Sequence, residues 1–480
     1  MNKKAILYII GWVLIIEGAA MQLPTIVGLI YGESQFRYFI YVGLSMALLG
    51  ALIIFKRPKN LTMYKKEGFA STAISWLVLS LCGAIPLCIS GTIPSYLDAF
   101  FETASGFTTT GSTILTEIEG LPYCMLFWRS FTHWLGGMGV IVFLLAIIPN
   151  LGGNQSINLM KAESTGPSVE KGFPKLRNYA FSLYAIYSGL TVLEIILLLL
   201  GGMNLYDSIT TSFSCAGTGG FMVYNDSLAS FSPYIQTVAA TFMLLFGVNF
   251  AVYILILTRK FRQAFKNSEL WVYLGIIVAI TVLIAVDIKA QYQNFFEGLR
   301  HSYFYVCSII STTGSAIEDN NNWPVFSQAL IMLIMCVGAC AGSTGGGMKV
   351  SRIMILFKEI KKELHLLVHP RTVQTIKVDG KKVSNEVVRS VAVYLIIYVF
   401  IIVFSTIILT LDKFDFYTAF SGTLATLNNV GPGFSHVGSM NNFADFSFIS
   451  KLMCIFNMLA GRLELYPIIL LLTPAAWRRN

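Results

Sequence analysis

Ser105-Gly106-Phe107-Thr108-Thr109-Thr110-Gly111-Ser112-Thr113 is a run of glycines and small hydroxyl residues inside an otherwise largely apolar chain. It has three echoes: Cys215-Ala216-Gly217-Thr218-Gly219-Gly220-Phe221, Ile310-Ser311-Thr312-Thr313-Gly314-Ser315, and Leu427-Asn428-Asn429-Val430-Gly431-Pro432-Gly433. Each follows a short amphipathic segment and reaches a glycine after three small, polar or β-branched residues. The pattern reads as one device in four copies: a re-entrant loop whose backbone carbonyls face a common axis and replace the water around a cation.

The rest of the chain is consistent with that setting. Of 480 residues, 55% are hydrophobic and only 12% charged, against about 25% charged in a soluble protein. Mean hydropathy is +0.67. The apolar segments are too long and too many for a soluble core, so the chain reads as an all-α polytopic membrane protein. The net charge of +9 then orients the chain rather than binding nucleic acid, and no nucleic-acid partner is expected. The eight cysteines show neither paired zinc spacing nor a secreted framework. Cys336 and Cys340 read as buried small hydrophobes.

Around the four loops a three-part unit repeats: apolar helix, pore segment, apolar helix. The first unit takes about 69–91, 95–119 and 122–149. The second takes about 178–201, 204–226 and 230–258. The third takes about 270–288, 294–318 and 323–359, and the fourth about 387–411, 414–438 and 446–475. The loop glycines recur roughly a hundred residues apart, a period that argues for a duplicated structural unit. Four such units in one chain surround one axis. Two further helices, at about 5–30 and 37–56, carry no loop of their own and read as an accessory hairpin. The expected division is 1–66 for that hairpin, then 67–160, 161–266, 267–384 and 385–480 for the four repeats.

Basic residues between units set the topology. The first linker holds Lys161, Lys171, Lys175 and Arg177; the second Arg259, Lys260, Arg262 and Lys266; the third runs from Arg352 to Arg389; and the chain ends Arg478-Arg479. Basic loops stay in the cytoplasm, which puts both termini inside and the pore loops outside. The outer segments carry Glu102, Glu117, Glu119, Asp207, Asp226, Glu297, Glu318, Asp319 and Asp415. These acids form either a mouth that concentrates cations or ordinary solvated loop charges.

Irregular backbone at membrane depth leaves carbonyls unpaired unless it lines a polar cavity. Glycine lets successive carbonyls approach without a Cβ clash. The windows hold no carboxylate, which a divalent-cation site would want. An uncharged carbonyl cage suits a weakly hydrated monovalent cation, K⁺ before Na⁺.

The loops, together with Gly461-Arg462-Leu463-Glu464-Leu465-Tyr466-Pro467 near the end, resemble the Trk/Ktr/HKT superfamily of cation transporters. Within it they resemble the bacterial TrkH-type potassium-uptake subunits, over the whole chain and including the accessory hairpin. The resemblance implies a K⁺ filter with one glycine per repeat: Gly111, Gly220, Gly314 and Gly431. With their neighbours these give a filter of Thr109, Thr110, Gly111, Thr218, Gly219, Gly220, Thr312, Thr313, Gly314, Asn429, Val430 and Gly431. Members with serine at the first of these glycines tend to admit Na⁺, so Gly111 implies K⁺. Gly217, Gly219 and Gly220 crowd together, and Gly220 is aligned by matching Thr218-Gly219-Gly220 to Thr312-Thr313-Gly314.

Two further features fall below the filter. The stretch Ala341-Gly342-Ser343-Thr344-Gly345-Gly346-Gly347-Met348-Lys349 superficially suggests a phosphate-binding loop. Its register fails, because Met348 holds the lysine position and Lys349 comes one late. A glycine-rich break inside a membrane segment unwinds it. By the resemblance Gly342, Ser343, Thr344, Gly345, Gly346, Gly347 and Lys349 form a gate; a static kink is the alternative. Arg462 lies mid-way along the last apolar segment, where a charge is costly. It is either a barrier to cations in the pore or half of a structural ion pair. Glu464, two positions on, points elsewhere on a helix and is no obvious local partner. His133 and His301 read as packing residues.

The expected function is therefore potassium uptake across a bacterial inner membrane, with K⁺ as substrate, no cofactor and no bond chemistry. The resemblance implies a homodimer over a cytosolic TrkA-type nucleotide-binding ring. Two other readings remain: a Na⁺-translocating or Na⁺/H⁺-coupled symporter on the same scaffold, and a membrane-embedded enzyme. The last lacks any clustered His/Asp/Glu set at membrane depth.

Overall fold

The computed structural model describes residues 1–56, 58, 64–139 and 176–477. Lys161, Lys171, Lys175, Arg478, Arg479 and the far end of the helix expected over 122–149 lie outside the described residues. Among the described residues the regular structure is helical, apart from a two-residue hairpin that pairs Lys377–Val378 with Lys381–Lys382 in the third linker. Six described helices are long and apolar enough to cross a membrane, seven if one bent pair counts as a single span. The protein is an integral membrane protein built from the four expected units and the hairpin.

In each unit a long outer helix leads into a short pore helix. The outer helices are Lys65–Ile89, Leu176–Leu200, Ser268–Asp287 and Asn385–Leu409; the pore helices are Tyr96–Phe107, Leu205–Gly217, Phe295–Ile310 and Phe416–Leu427. Three of the four pore helices start where a polar side chain satisfies a free N–H group. Ser95 accepts from the Asp98 amide, Asn204 from Asp207 and Asp415 from Thr418. An inner helix follows: Tyr123–Gly137, Pro233–Phe246, Val325–Val337 and Phe448–Arg462.

The inner helices close the ring. Each packs against its own pore helix and against the next unit's: the first on Leu205–Gly217, the second on Phe295–Ile310, the third on Phe416–Leu427, the fourth back on Tyr96–Phe107. Two large apolar clusters fill the wall. One joins the accessory hairpin to units one and four, the other joins units two, three and four.

The accessory hairpin consists of Lys3–Ala20 with Gln22–Ile30, then Phe36–Phe55. Its two long helices touch at glycines, as membrane helices do. A Cβ on Gly18 would lie 2.4 Å from the Gly43 carbonyl oxygen, and one on Gly50 2.5 Å from that of Gly11.

The second helices of the units differ from expectation. The segments over 230–258 and 446–475 are not continuous. Pro233–Phe246 and Phe250–Leu257 meet at 90°. Phe448–Arg462 stops, and Tyr466–Leu472 starts afresh after two residues with positive φ, Glu464 and Leu465. The Leu465 amide donates to the Ala460 carbonyl and that of Glu464 to Gly461, which is the Schellman arrangement of a helix end. Arg462 is therefore in the last turn of its helix, not mid-way along a span.

Candidate functional site

All four pore helices run into the loops in the same way. The Thr110, Gly219, Thr313 and Val430 amides donate five residues back, to the carbonyls of Ser105, Ser214, Ser308 and Ala425, at 2.9, 2.9, 2.8 and 2.9 Å. The residues just before them, Thr109, Thr218, Thr312 and Asn429, are left-handed, with φ of 55°, 54°, 64° and 54°. Left-handed backbone is rare for β-branched residues and costs about 1–3 kcal/mol each. Two residues later Gly111, Gly220, Gly314 and Gly431 have φ of 84°, 85°, 78° and 100°. The three-residue windows aligned from sequence are thus equivalent in conformation, Thr218-Gly219-Gly220 included.

The glycines face one another's loops around a ring. A Cβ on Gly111 would sit 1.9 Å from the Gly219 carbonyl oxygen. On Gly220 it would sit 2.1 Å from that of Thr313, on Gly314 1.9 Å from that of Val430, and on Gly431 2.7 Å from that of Thr110. The order one, two, three, four, one closes on itself. Four helix C-termini converge on this ring, each with the negative end of its dipole inward, which favours a cation by a few tenths to about 1 kcal/mol per helix.

The same four glycines line a cavity of about 110 Å³ that also touches Ser112, Arg129, Asn225, Asn441 and Asn442. None of its lining residues is acidic, so of the two readings of the outer acids the cation-concentrating mouth is not found directly over the ring. Glu102 is buried, and its carboxylate pairs with the Arg129 guanidinium at 2.7 Å while accepting from Thr113 Oγ1 and the Ile114 amide. Asp207 is buried too, bonded to Asn204 and Tyr224. Asp415 caps its helix. Glu117 and Glu119 are exposed. The sequence could not separate these cases, because Glu102 meets its partner 27 residues away.

His133 lies behind the ring. Its Nδ1 meets the Gly106 carbonyl at 2.8 Å, and its Nε2 accepts from the Phe221 amide at 3.2 Å. One donor and one acceptor describe a neutral imidazole packed between two loops. On the outer face His301 Nδ1 meets the Glu318 carboxylate at 2.9 Å, and Trp323 Nε1 donates to the same oxygen at 3.0 Å, with Tyr292 bonded there as well. Burial pushes the pKa of Glu318 up, but the bonds from His301 and Tyr292 outweigh it and hold its carboxyl below the usual range.

Beneath the ring lies the glycine-rich break. The chain leaves helical geometry after Val337 and resumes it at Val350, with positive φ at Gly338, Gly342, Gly347 and Lys349. This segment touches the ends of two pore helices. The Gly346 amide donates to Thr312 Oγ1 at 2.6 Å and the Gly347 amide to the Asn428 carbonyl at 3.0 Å. It also pairs with the bend in unit two: Cys340 N–H with the Gly247 carbonyl, and Phe250 N–H with that of Gly342, both at 3.0 Å. Glu269 holds both ends, accepting from the Ala341 amide at 2.7 Å and the Ser351 amide at 3.1 Å. Lys349 is buried and turns its ammonium onto the Gly345 carbonyl.

Arg462 reaches the same segment from unit four. Its guanidinium donates to the Thr344 carbonyl at 2.7 Å and to the Gly137 carbonyl, at the end of the first inner helix, at 2.6 Å. These bonds run to main chain. Glu464 forms its ion pair with Arg352 instead. Sequence reading missed Glu269, the Glu102–Arg129 pair and the Arg352–Glu464 pair. The available signal was a charge at the edge of an apolar segment.

Four re-entrant loops closed around one axis, inside a ring of membrane helices, define a four-fold pseudosymmetric pore-loop membrane protein. Comparison with known proteins agrees over the full length. The TrkH family profile, described as cation transport protein, matches residues 35–272 and 276–478. The Trk system potassium uptake protein TrkH of Salmonella typhimurium is 34% identical over 100% of both chains, and that of Escherichia coli K12 likewise. The crystal structure of the potassium transporter TrkH from Vibrio parahaemolyticus superposes with a TM-score of 0.89, at 32% identity and 100% coverage of both chains. The chain belongs to the TrkH family of cation transport proteins.

Proposed function

We propose that this protein takes up potassium through the ring. K⁺ is the substrate, and carbonyls of the windows 109–111, 218–220, 312–314 and 429–431 replace its water. The observation that carries the reading is the closed ring, in which each glycine faces the next loop's carbonyl. It is supported by converging helix C-termini, by the absence of carboxylates in the windows, and by relatives named for potassium uptake. A carbonyl cage without formal charge suits a large monovalent ion.

The segment from Gly342 to Lys349 acts as the gate, and Arg462 acts with it as a cationic barrier. Below the filter a cation meets a segment pinned by the guanidinium of Arg462 and the ammonium of Lys349. The inward membrane potential supplies the driving force, about 2.3 kcal/mol per charge per 100 mV. On this reading the protein sits in a bacterial inner membrane with both termini cytoplasmic. It divides at 66/67, 160/161, 266/267 and 384/385, pairs as a homodimer, and is regulated by a cytosolic nucleotide-binding ring of TrkA type.

Purified protein in proteoliposomes tests this. Uptake of ⁸⁶Rb⁺ driven by an inward K⁺-type diffusion potential, blocked by excess K⁺ but little by Na⁺, is the expected result. Equal competition by Na⁺ would favour the sodium-translocating reading.

A further inference from the structure

The four glycine carbonyls of the ring are not equivalent. Ser112 Oγ donates to the Gly431 carbonyl at 2.9 Å. Among the described residues no hydrogen bond reaches the carbonyls of Gly111, Gly220 or Gly314. The residue after each glycine is Ser112, Phe221, Ser315 and Pro432 in turn. Two of the four carry a hydroxyl, and both serines are 2% exposed. Yet Ser315 Oγ is buried without a hydrogen-bond partner. The same residue type in the same register binds a filter carbonyl at one seam and leaves it alone at another.

The seam that Ser112 spans is also the loosest. The approach of Gly431 to Thr110 is 2.7 Å on the Cβ measure, against 1.9 to 2.1 Å at the other three seams. Asn429, which replaces the threonine of the other loops, crosses this seam as well, donating from Nδ2 to Thr110 Oγ1 at 2.9 Å, while the same Nδ2 donates to the Met458 carbonyl of its own unit at 2.9 Å. Loops one and four are thus held together by side chains where the glycines do not close the gap themselves.

We propose that Ser112 is a specificity-determining positioning residue: by holding the Gly431 carbonyl it withdraws one oxygen of four from the ion at the outer end of the ring. This rests on the reading of the loops as a K⁺ filter. A carbonyl engaged by a hydroxyl has its direction fixed and shares its negative charge. Selectivity between K⁺ and Na⁺ depends on how many carbonyl dipoles are free to coordinate and how strong they are. The larger ion needs more oxygens; the smaller is satisfied by fewer at closer range. Three free carbonyls and one engaged discriminate less than four free ones. Asn429 keeps loop four seated when Ser112 is lost, so the change acts on one oxygen and not on the fold.

The test uses the full chain in proteoliposomes, with reversal potentials under opposed K⁺ and Na⁺ gradients and thermal melting on the same preparations. Ser112→Ala should raise the K⁺/Na⁺ permeability ratio by about threefold, the scale of one net hydrogen bond. Its melting temperature should stay close to that of the parent. Ser315→Ala, at the equivalent position without a filter contact, should leave the ratio unchanged. A ratio that is unchanged or lower in Ser112→Ala overturns the proposal, as does an equal rise in Ser315→Ala. Gly111→Ser serves as the separate check on the filter. If it moves the ratio while Ser112→Ala does not, the filter stands and only the role of Ser112 falls. If Gly111→Ser leaves the ratio unmoved, the filter reading itself falls.

Discussion

Replacing Arg462 by alanine removes two things at once, and their sizes can be worked from the structure. The first is a set of charge-assisted bonds to the Thr344 and Gly137 carbonyls, at 2.7 and 2.6 Å. Bonds to charged groups contribute about 1.5–3 kcal/mol each. They tie the segment beneath the ring to the inner helix of unit one across the pore. The second is a positive charge, only 9% exposed. A cation passing at roughly 6 Å feels about 3 kcal/mol of repulsion with an effective dielectric of about 20, less where water fills the cavity. Halving that for water leaves about 1.5 kcal/mol, and each 1.36 kcal/mol is tenfold in rate. Arg462→Ala should therefore speed ⁸⁶Rb⁺ uptake by about tenfold and lower the melting temperature by a few degrees, with the K⁺/Na⁺ ratio intact.

Arg462→Lys divides the two causes. Lysine keeps the charge but lacks the planar fork that reaches two carbonyls at once. If the charge is the obstacle, Arg462→Lys stays slow. If the pinned segment is the obstacle, it is as fast as alanine. The reasoning fails if Arg462→Ala remains folded, by melting and gel filtration, and takes up ⁸⁶Rb⁺ no faster than the parent.

Three further outcomes follow from the same geometry. Gly111→Ser places a Cβ 1.9 Å from the Gly219 carbonyl at a φ of 84°, so the ring must open there; the K⁺/Na⁺ permeability ratio should fall several-fold, read as a shift in reversal potential. Deleting Gly345, Gly346 and Gly347 should raise uptake at constant selectivity; a changed ratio instead would mean that the bonds to Thr312 and Asn428 support the filter from below. Glu318 has its folded pKa lowered, so its contribution to stability is present above the unfolded value of about 4.3 and is lost as pH falls through the folded value. Glu318→Gln should flatten the acid limb of a melting-temperature profile below about pH 4.3, while a limb identical to the parent's would remove Glu318 from the stabilising groups.

The ring was legible in the sequence for a physical reason. A backbone that turns left-handed at one residue and again two residues later needs glycine at the second position, and few other residue types fit beside it. Four such windows between apolar segments therefore carry both the fold and its symmetry. The breaks in the inner helices of units two and four were not legible. At Gly247-Val248-Asn249 there is no proline, and one glycine in an apolar run is tolerated in a helix. What stabilises the 90° bend is pairing with a distant segment, through the Gly247 carbonyl and the Phe250 amide. Local sequence cannot report a partner about ninety residues away. At Leu463–Leu465 a signal was present: Tyr466-Pro467 opens the next helix, and proline favours such a first turn. The buried Glu102 was unreadable for the first reason, since only folding brings Arg129 to it.

The two halves of the pore are held by different kinds of bond, and this bears on which half moves. Above, each window is fixed by repeated main-chain bonds at the end of its pore helix and by the close approach of its glycine to the next loop, and the first also by the buried Glu102–Arg129 pair. Breaking a buried pair by removing one partner costs about 3–5 kcal/mol, so distortion there is expensive. The left-handed threonines persist only because this surrounding structure determines them. Below, the segment from Gly338 to Lys349 has no helical bonds of its own. It is held by contacts to seven neighbours: Phe246, Gly247, Phe250, Glu269, Thr312, Asn428 and Arg462. Those contacts come from units two, three and four, and the Arg462 guanidinium that makes one of them also reaches Gly137 of unit one. Of these contacts, only the bond from Gly346 to Thr312 runs directly into a window. The lower segment, held by fewer and more scattered bonds than the windows, is the part that the proposed gate requires to move.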